Sequence, residues 1–177
     1  MTRLKHSLRR LILIAVAALA APALLHAQGQ VMQFGEERAD PDTPIEIESD
    51  NLEVIEANNT AEFTGDVIAV QGEMTMTAPR MLVVYSQDQS RVVRIEATGG
   101  VTFVNGEEAA EAQRADYDVD TGIVILTDDV VLVQGPDTIT GNKGTIDLNA
   151  GTAQMEGRVR TILNPSSASD GAAQDGN

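Results

Sequence analysis

Past Asp40 the chain is written in short runs that alternate apolar and polar residues and are separated by turn formers. IEIES, VIAVQ, MTMTA, MLVVY, VTFVN, IVIL, VVLVQ and TIDL have the two-residue period and the Val, Ile and Thr enrichment of β-strands. None is long enough to carry a helical period. Parity assigns their faces. Ile45 and Ile47 share one face and Glu46 and Glu48 the other; Val101 goes with Phe103; Tyr117 and Val119 are set against Asp116 and Asp118. Acids therefore turn to solvent and aliphatics inward. The expected inner positions include Val54, Phe63, Val67, Met74, Met76, Met81, Val83, Ile123, Ile125, Leu132, Ile139, Ile146 and Leu148.

The runs also repeat. VIAVQG at Val67–Gly72 returns as VTFVNG at Val101–Gly106 and as VVLVQG at Val130–Gly135, with spacings of 34 and 29 residues. The longer spacing fits an extended loop around Ser86–Arg91. Seven positions after each Gln or Asn stands a small residue (Ala78, Ala112, Gly141), followed in register by Met81, Ala115 and Gly144 and then by Val83, Tyr117 and Ile146. Stepping back one period reaches Ser49, Leu52 and Val54, and a final half-copy begins at Val159. About four units of some four short strands each predict a solenoid-like all-β stack, because one unit cannot bury its apolar face without its neighbours. Such a stack has a continuous interior and two open ends. Its edge strands, near Ile45–Glu48 and Val159–Leu163, are free to pair with another molecule.

The N-terminal segment has a different character. Residues 1–10 are basic, Leu11–Ala21 is an unbroken apolar run, and small residues follow Pro22 at Ala23 and Ala27. The run is short for a membrane span and has the flanks of a secretory signal peptide, predicted to cover residues 1–27, with cleavage after Ala27 or Ala23. An uncleaved anchor formed by Leu11–Leu25 is the rival reading. Residues 28–43 are expected to be a loose lead-in with room for an early edge strand, 44–165 the β-domain, and 166–177 a disordered acidic tail. With a signal peptide and no Cys, the expected compartment is the periplasm.

Composition then removes whole classes of chemistry. The formal net charge is −15, and all basic residues of the first 27 positions lie ahead of the acidic domain, so nucleic-acid binding is excluded. Aromatics are 3% with no Trp, which argues against stacking platforms for bases or sugars. There is no Cys, and both histidines, His6 and His26, fall in the signal segment, so thiolate, imidazole and His-metal chemistry vanish together. The remaining candidates are carboxylates: Glu107-Glu108, Asp116-x-Asp118-x-Asp120, and Asp128-Asp129 at an expected turn between two strands. Paired carboxylates can serve glycoside or peptide hydrolysis, but alternation puts Asp116 and Asp118 on the solvent side. The Asp triplet also lacks the glycine-rich loop of repetitive Ca²⁺ motifs. Gly99-Gly100 opens no helix and reads as a turn or bulge rather than a phosphate cradle. No catalytic residue, metal or cofactor is expected, and the protein is read as a non-enzyme.

PIEIESDNLEV at Pro44–Val54, EFTGDVIAVQG at Glu62–Gly72 and ADYDVDTGIVILTDDVVLVQG at Ala115–Gly135 resemble the OstA-like, or organic-solvent-tolerance, β-jellyroll family. RVRTILNP at Arg158–Pro165 is similar to the C-terminal strand of its lipopolysaccharide-transport members. The resemblance covers roughly residues 44–166. It implies a jellyroll of about sixteen short antiparallel strands stacking head to tail with itself. Its other partners would be an inner-membrane-anchored periplasmic export component and the N-terminal periplasmic domain of an outer-membrane translocon. It also implies that lipopolysaccharide travels with its lipid A acyl chains inside the groove, against Ile45, Ile47, Phe103, Tyr117 and Val119. Inner Met74, Met76 and Met81 suit a groove that accepts varied chains. The rival readings are a membrane-anchored relative of the same export pathway and a purely structural β-stack scaffold.

Overall fold

Each internal repeat folds as one β-hairpin of two long strands. The computed structural model describes residues 30–35 and 43–164. The signal segment 1–27 and the tail from Ser166 lie outside the described residues. The strands are β1 (Gln30–Gln33), β2 (Glu46–Glu48), β3 (Asn51–Ile55), β4 (Thr60–Gln71), β5 (Met74–Tyr85), β6 (Val92–Asn105), β7 (Glu108–Asp118), β8 (Ile123–Gln134), β9 (Asp137–Asp147), β10 (Thr152–Glu156) and β11 (Arg160–Ile162). All pairings are antiparallel, in the order β1-β10-β9-β8-β7-β6-β5-β4-β2, with β3 also on β4 and β11 also on β9.

The sixteen or so short runs become eleven strands among the described residues because adjoining runs fuse through bulges. Register shifts fall between Thr64 and Val67, Thr77 and Arg80, Thr98 and Val101, Glu111 and Arg114, and Thr127 and Val130. A bulge bends its strand and sharpens its twist, and bulges aligned strand after strand fold the sheet into two facing layers. The edges confirm the division. β2 pairs only with Ile68–Val70 and β3 only with Thr60–Thr64 of the same β4. At the far end β11 takes Thr138–Thr140 and β10 takes Lys143–Asp147 of β9. Asp128 and Asp129, expected at a turn, form such a bulge inside β8 with φ of 66° and 54°, while Gly99 and Gly100 form one in β6.

The repeat acquires a physical meaning at these bends. The first Val of each copy pairs with the small residue of its own hairpin: Val67 with Ala78, Val101 with Ala112, Val130 with Gly141. All three valines are buried. The bend brings neighbouring backbones close, so its inner corner holds only small side chains; a Cβ on Gly141 would lie 3.0 Å from the Glu156 carbonyl oxygen. The extended loop at Ser86–Arg91 joins β5 to β6, with the Ser86 and Ser90 hydroxyls donating to Asp88 and lowering its carboxyl to about 2.

Parity gives the inner layer with two corrections. Ile123 and Ile125 were expected inside, but they pair with Asp118 and Asp116 and so share their outer face, whereas Val124 and Leu126 are buried. IVIL is apolar at every position, so only its register with β7 selects a face. Val54 does point to the inner side, opposite Ala61, yet it is 62% exposed because β3 is a sheet edge that no strand covers among the described residues. In the segment expected as a loose lead-in, Gln30–Gln33 form β1, paired with β10 at the opposite edge from β2.

Candidate functional site

The interior between the two layers is the candidate site. Its walls are the inner faces of β4 to β9, lined with buried Val, Leu, Ile, Met and Ala. Two polar links cross it. The Tyr117 hydroxyl, on β7, donates to Gln71 Oε1, on β4, at 2.9 Å, and Gln71 Nε2 donates to the Thr43 carbonyl oxygen at 3.1 Å. Burial, with the charge of Asp118 nearby, pushes the Tyr117 phenol up to about 12.

Of the five residues implied as lipid contacts, the structure brings three together. Ile45, Phe103 and Tyr117 line one small cavity with Ala69, Val70, Gln71, Met74, Met76 and Ile95. Its volume is about 20 Å³, enough for one water but not for an acyl chain. Ile47 is half-buried opposite Ala69, and Val119 is buried past the end of β7; neither lines this cavity. A second opening of about 150 Å³ lies under the exposed edge, between Val54, Ala61, Tyr85 and Gln89.

Three residues were not singled out from the sequence. Gln71, Asn105 and Gln134 close the inner ends of β4, β6 and β8, each just before the hairpin glycine. The repeat marked these positions without disclosing their role. Here they form a row of carboxamides along one rim, and two of them reach the lead-in: Gln134 Nε2 donates to the Gln33 carbonyl at 3.1 Å, and Gln71 reaches Thr43 as above. Phe34, the fourth surprise, is fully buried against Phe103, with ring centroids 6.1 Å apart and planes 19° from parallel.

Three of the seven flagged carboxylates, Asp116, Asp120 and Asp128, meet a cation on the outer face, whereas Glu108 turns toward the interior side and accepts the Gly35 N–H. Arg94 binds Asp116 and lies 3.2 Å from Glu96; Arg91 binds Asp120; Arg114 lies 3.8 Å from Asp128; Arg80 meets Glu62 at 2.6 Å. The Arg91 guanidinium holds the Asp120 carboxyl below its ordinary range, and Arg80 does the same for Glu62. Asp118 instead accepts the Thr121 backbone N–H at 2.8 Å. Asp116, Asp118 and Asp120 are thus turned to separate partners rather than to a shared ion. Opposite charges on neighbouring strands tie the outer face together modestly, since exposed pairs are worth about 0–1 kcal/mol each.

Comparison with known proteins gives a consistent picture. The model of the LptA/(LptD N-terminal domain) LPS transport protein family matches residues 46–152. An uncharacterized protein of Rhizobium meliloti is 32% identical over 166 residues, covering 88% of this chain and 86% of that protein. The lipopolysaccharide export system protein LptA of Escherichia coli K12 is 30% identical over 141 residues, covering 74% of this chain and 76% of that protein. Among solved structures, LptH of Pseudomonas aeruginosa, the LptA-homologous periplasmic component of its lipopolysaccharide transport device, superposes with a TM-score of 0.65. It covers 72% of this chain and 99% of its own at 18% identity, a likeness of fold.

Proposed function

The chain belongs to the LptA/LptD N-terminal-domain family of lipopolysaccharide-transport proteins, and from that premise we propose that it is a periplasmic carrier bridging the inner and outer membranes, not an enzyme. The observation that carries this reading is the continuous, largely apolar interior between two bent layers whose ends are unclosed strands. Lipid A acyl chains run inside, against Ile45, Ile47, Phe103, Tyr117 and Val119, while the sugars remain in water. Each methylene removed from water contributes about 0.8 kcal/mol, so even a partly sheltered chain is held firmly.

The ends serve as joints. β2 presents Glu46 and Glu48, and β11 presents Arg160, all exposed. Val159, Ile162 and Leu163 add uncovered apolar surface at the β11 end, as do Leu52 and Val54 on β3. Edge pairing of β2 on the β11 of a second copy joins opposite charges and covers these side chains. The same edges accept an inner-membrane-anchored export component at one end and the N-terminal periplasmic domain of an outer-membrane translocon at the other.

Photocrosslinking in cells tests the lipid path, with the probe at inner Phe103 and, as control, at outer Thr102. Lipopolysaccharide adducts at 103 and not at 102 are expected. Adducts at neither position, in an exported and folded protein, favour a filled structural stack instead.

A further inference from the structure

An acyl chain does not fit the space beside Phe103. The cavity beside Phe103 is about 20 Å³, whereas an apolar hole of about 150 Å³ is what admits a benzene-sized guest. Something must leave before a chain can lie against Phe103. Most side chains around the cavity sit on strands held on both sides: Phe103 on β6 between β5 and β7, Met74 and Met76 on β5 between β4 and β6. Phe34 is different. It is fully buried and stacked on Phe103, yet it hangs from β1, an edge strand of four residues whose one partner among the described residues is β10.

We propose that Phe34 is a built-in occupant of the acyl path, and that β1 must detach from β10 for a lipid chain to take its place against Phe103. The inference rests on the lipid-carrier reading above and adds to it the part of this chain that competes with the cargo.

Beyond the four-residue ladder of β1 on β10, three further bonds fasten this segment. Phe34 N–H donates to the Gly151 carbonyl oxygen at 2.9 Å, Gly35 N–H donates to Glu108 Oε2 at 3.2 Å, and Gln134 holds the Gln33 carbonyl. On release the backbone groups of the ladder and of these bonds return to water, and the lipid chain that replaces Phe34 on Phe103 offsets its lost burial. Edge strands with so few partners occupy the low-stability end of a fold. The closed state also carries a flaw. Gly35, at φ 76°, lies so close to Asn105 that a Cβ there would overlap its carboxamide. Asn105 is buried, and its Nδ2 finds no hydrogen-bond acceptor among the described residues. Asn105 and Phe103 are two residues apart on the inner face of β6, so a chain lying on Phe103 can offer its ester or amide carbonyl to this donor. Burying a donor without an acceptor disfavours the closed state relative to that occupied one.

The chain has no cysteine, and Gln33 faces Thr152 across the β1–β10 pair, at a separation that a disulfide spans. The purified double variant Gln33→Cys/Thr152→Cys is compared, oxidised and reduced, with the unmodified protein and with Phe34→Ala, using fluorescently labelled lipopolysaccharide as the probe. Oxidation is expected to weaken binding about tenfold or more, with full recovery on reduction, because a locked strap removes the competent population. Phe34→Ala is expected to bind about threefold more tightly or better for the same reason. Equal binding by the oxidised and reduced forms overturns the strap while leaving the carrier intact. No binding by the reduced, unmodified and Phe34→Ala proteins alike overturns the lipid reading itself, and the strap with it.

Discussion

The Tyr117 hydroxyl donates to Gln71 Oε1 at 2.9 Å, joining the two layers of the bent sheet through a buried bond between residues 46 positions apart. A hydrogen bond inside an otherwise apolar groove is stronger than one at the surface, and this one sets the spacing of the layers beside the candidate lipid path.

Removing that hydroxyl should loosen the layers without emptying the core. Tyr117→Phe keeps the ring and is expected to lower stability by about 1 kcal/mol, read as a fall in the urea midpoint at unchanged slope. A midpoint equal to that of the unmodified protein would show that the cross-layer bond contributes nothing.

Alkaline pH should act through the same residue. Tyr117 is pushed up to about 12 in the folded protein, against about 10 in an unfolded chain. Between these values the unfolded state has lost the proton and the folded state keeps it, so stability falls as pH rises, by up to about 1.4 kcal/mol per unit. Below pH 10 both states are protonated and this contribution is fully present. Thermal melts across that window, with Tyr117→Phe as the reference, should show the unmodified protein losing stability more steeply. Parallel curves would contradict it.

The bulges should be sensitive to backbone chemistry alone. A Cβ on Gly100 meets nothing within 4 Å, but its φ is 98°, outside the range that side-chain-bearing residues favour. Gly100→Ala is therefore expected to cost about 1–3 kcal/mol despite open space. In β8 the corresponding bulge carries Asp128 and Asp129 at positive φ, so Asp128→Gly is expected to relieve strain and cost nothing or slightly stabilise. Chemical denaturation of both variants provides the comparison, and an Asp128→Gly loss as large as that of Gly100→Ala would refute the argument.

Charge should govern joining at the ends. Reversing Arg160→Glu places like charges against Glu46 and Glu48 of the next copy, and self-association by sedimentation should weaken by about tenfold, or 1.4 kcal/mol. Glu46→Arg/Glu48→Arg mixed with Arg160→Glu should restore it. Failure of the mixture to associate would place the joint elsewhere.

Much of this architecture was legible one residue at a time. Wherever acids alternate with aliphatics, as in IEIES and DYDVD, parity identified the inner face, and Ile45, Ile47, Phe103, Tyr117 and Val119 do face inward. The repeat located the three hairpins, since Val67, Val101 and Val130 each needed a small partner at the bend. These are local rules: a two-residue period and a packing requirement repeated with the chain.

Other features had no local expression. IVIL offers apolar residues to both faces, so the burial of Val124 over Ile125 was decided by pairing with β7 and β9. Val54 has the pattern of a core residue and is exposed because the sheet happens to end at β3. The placing of Phe34 against Phe103 depends on a short strand crossing to β10 and on fastenings such as that between Gln134 and Gln33, 101 residues apart. The sequence by itself determined which surfaces want to be buried, because hydrophobic periodicity is read within a few residues. Only the tertiary structure decided which of them find a cover, because edges, registers and long-range contacts are set by the whole sheet.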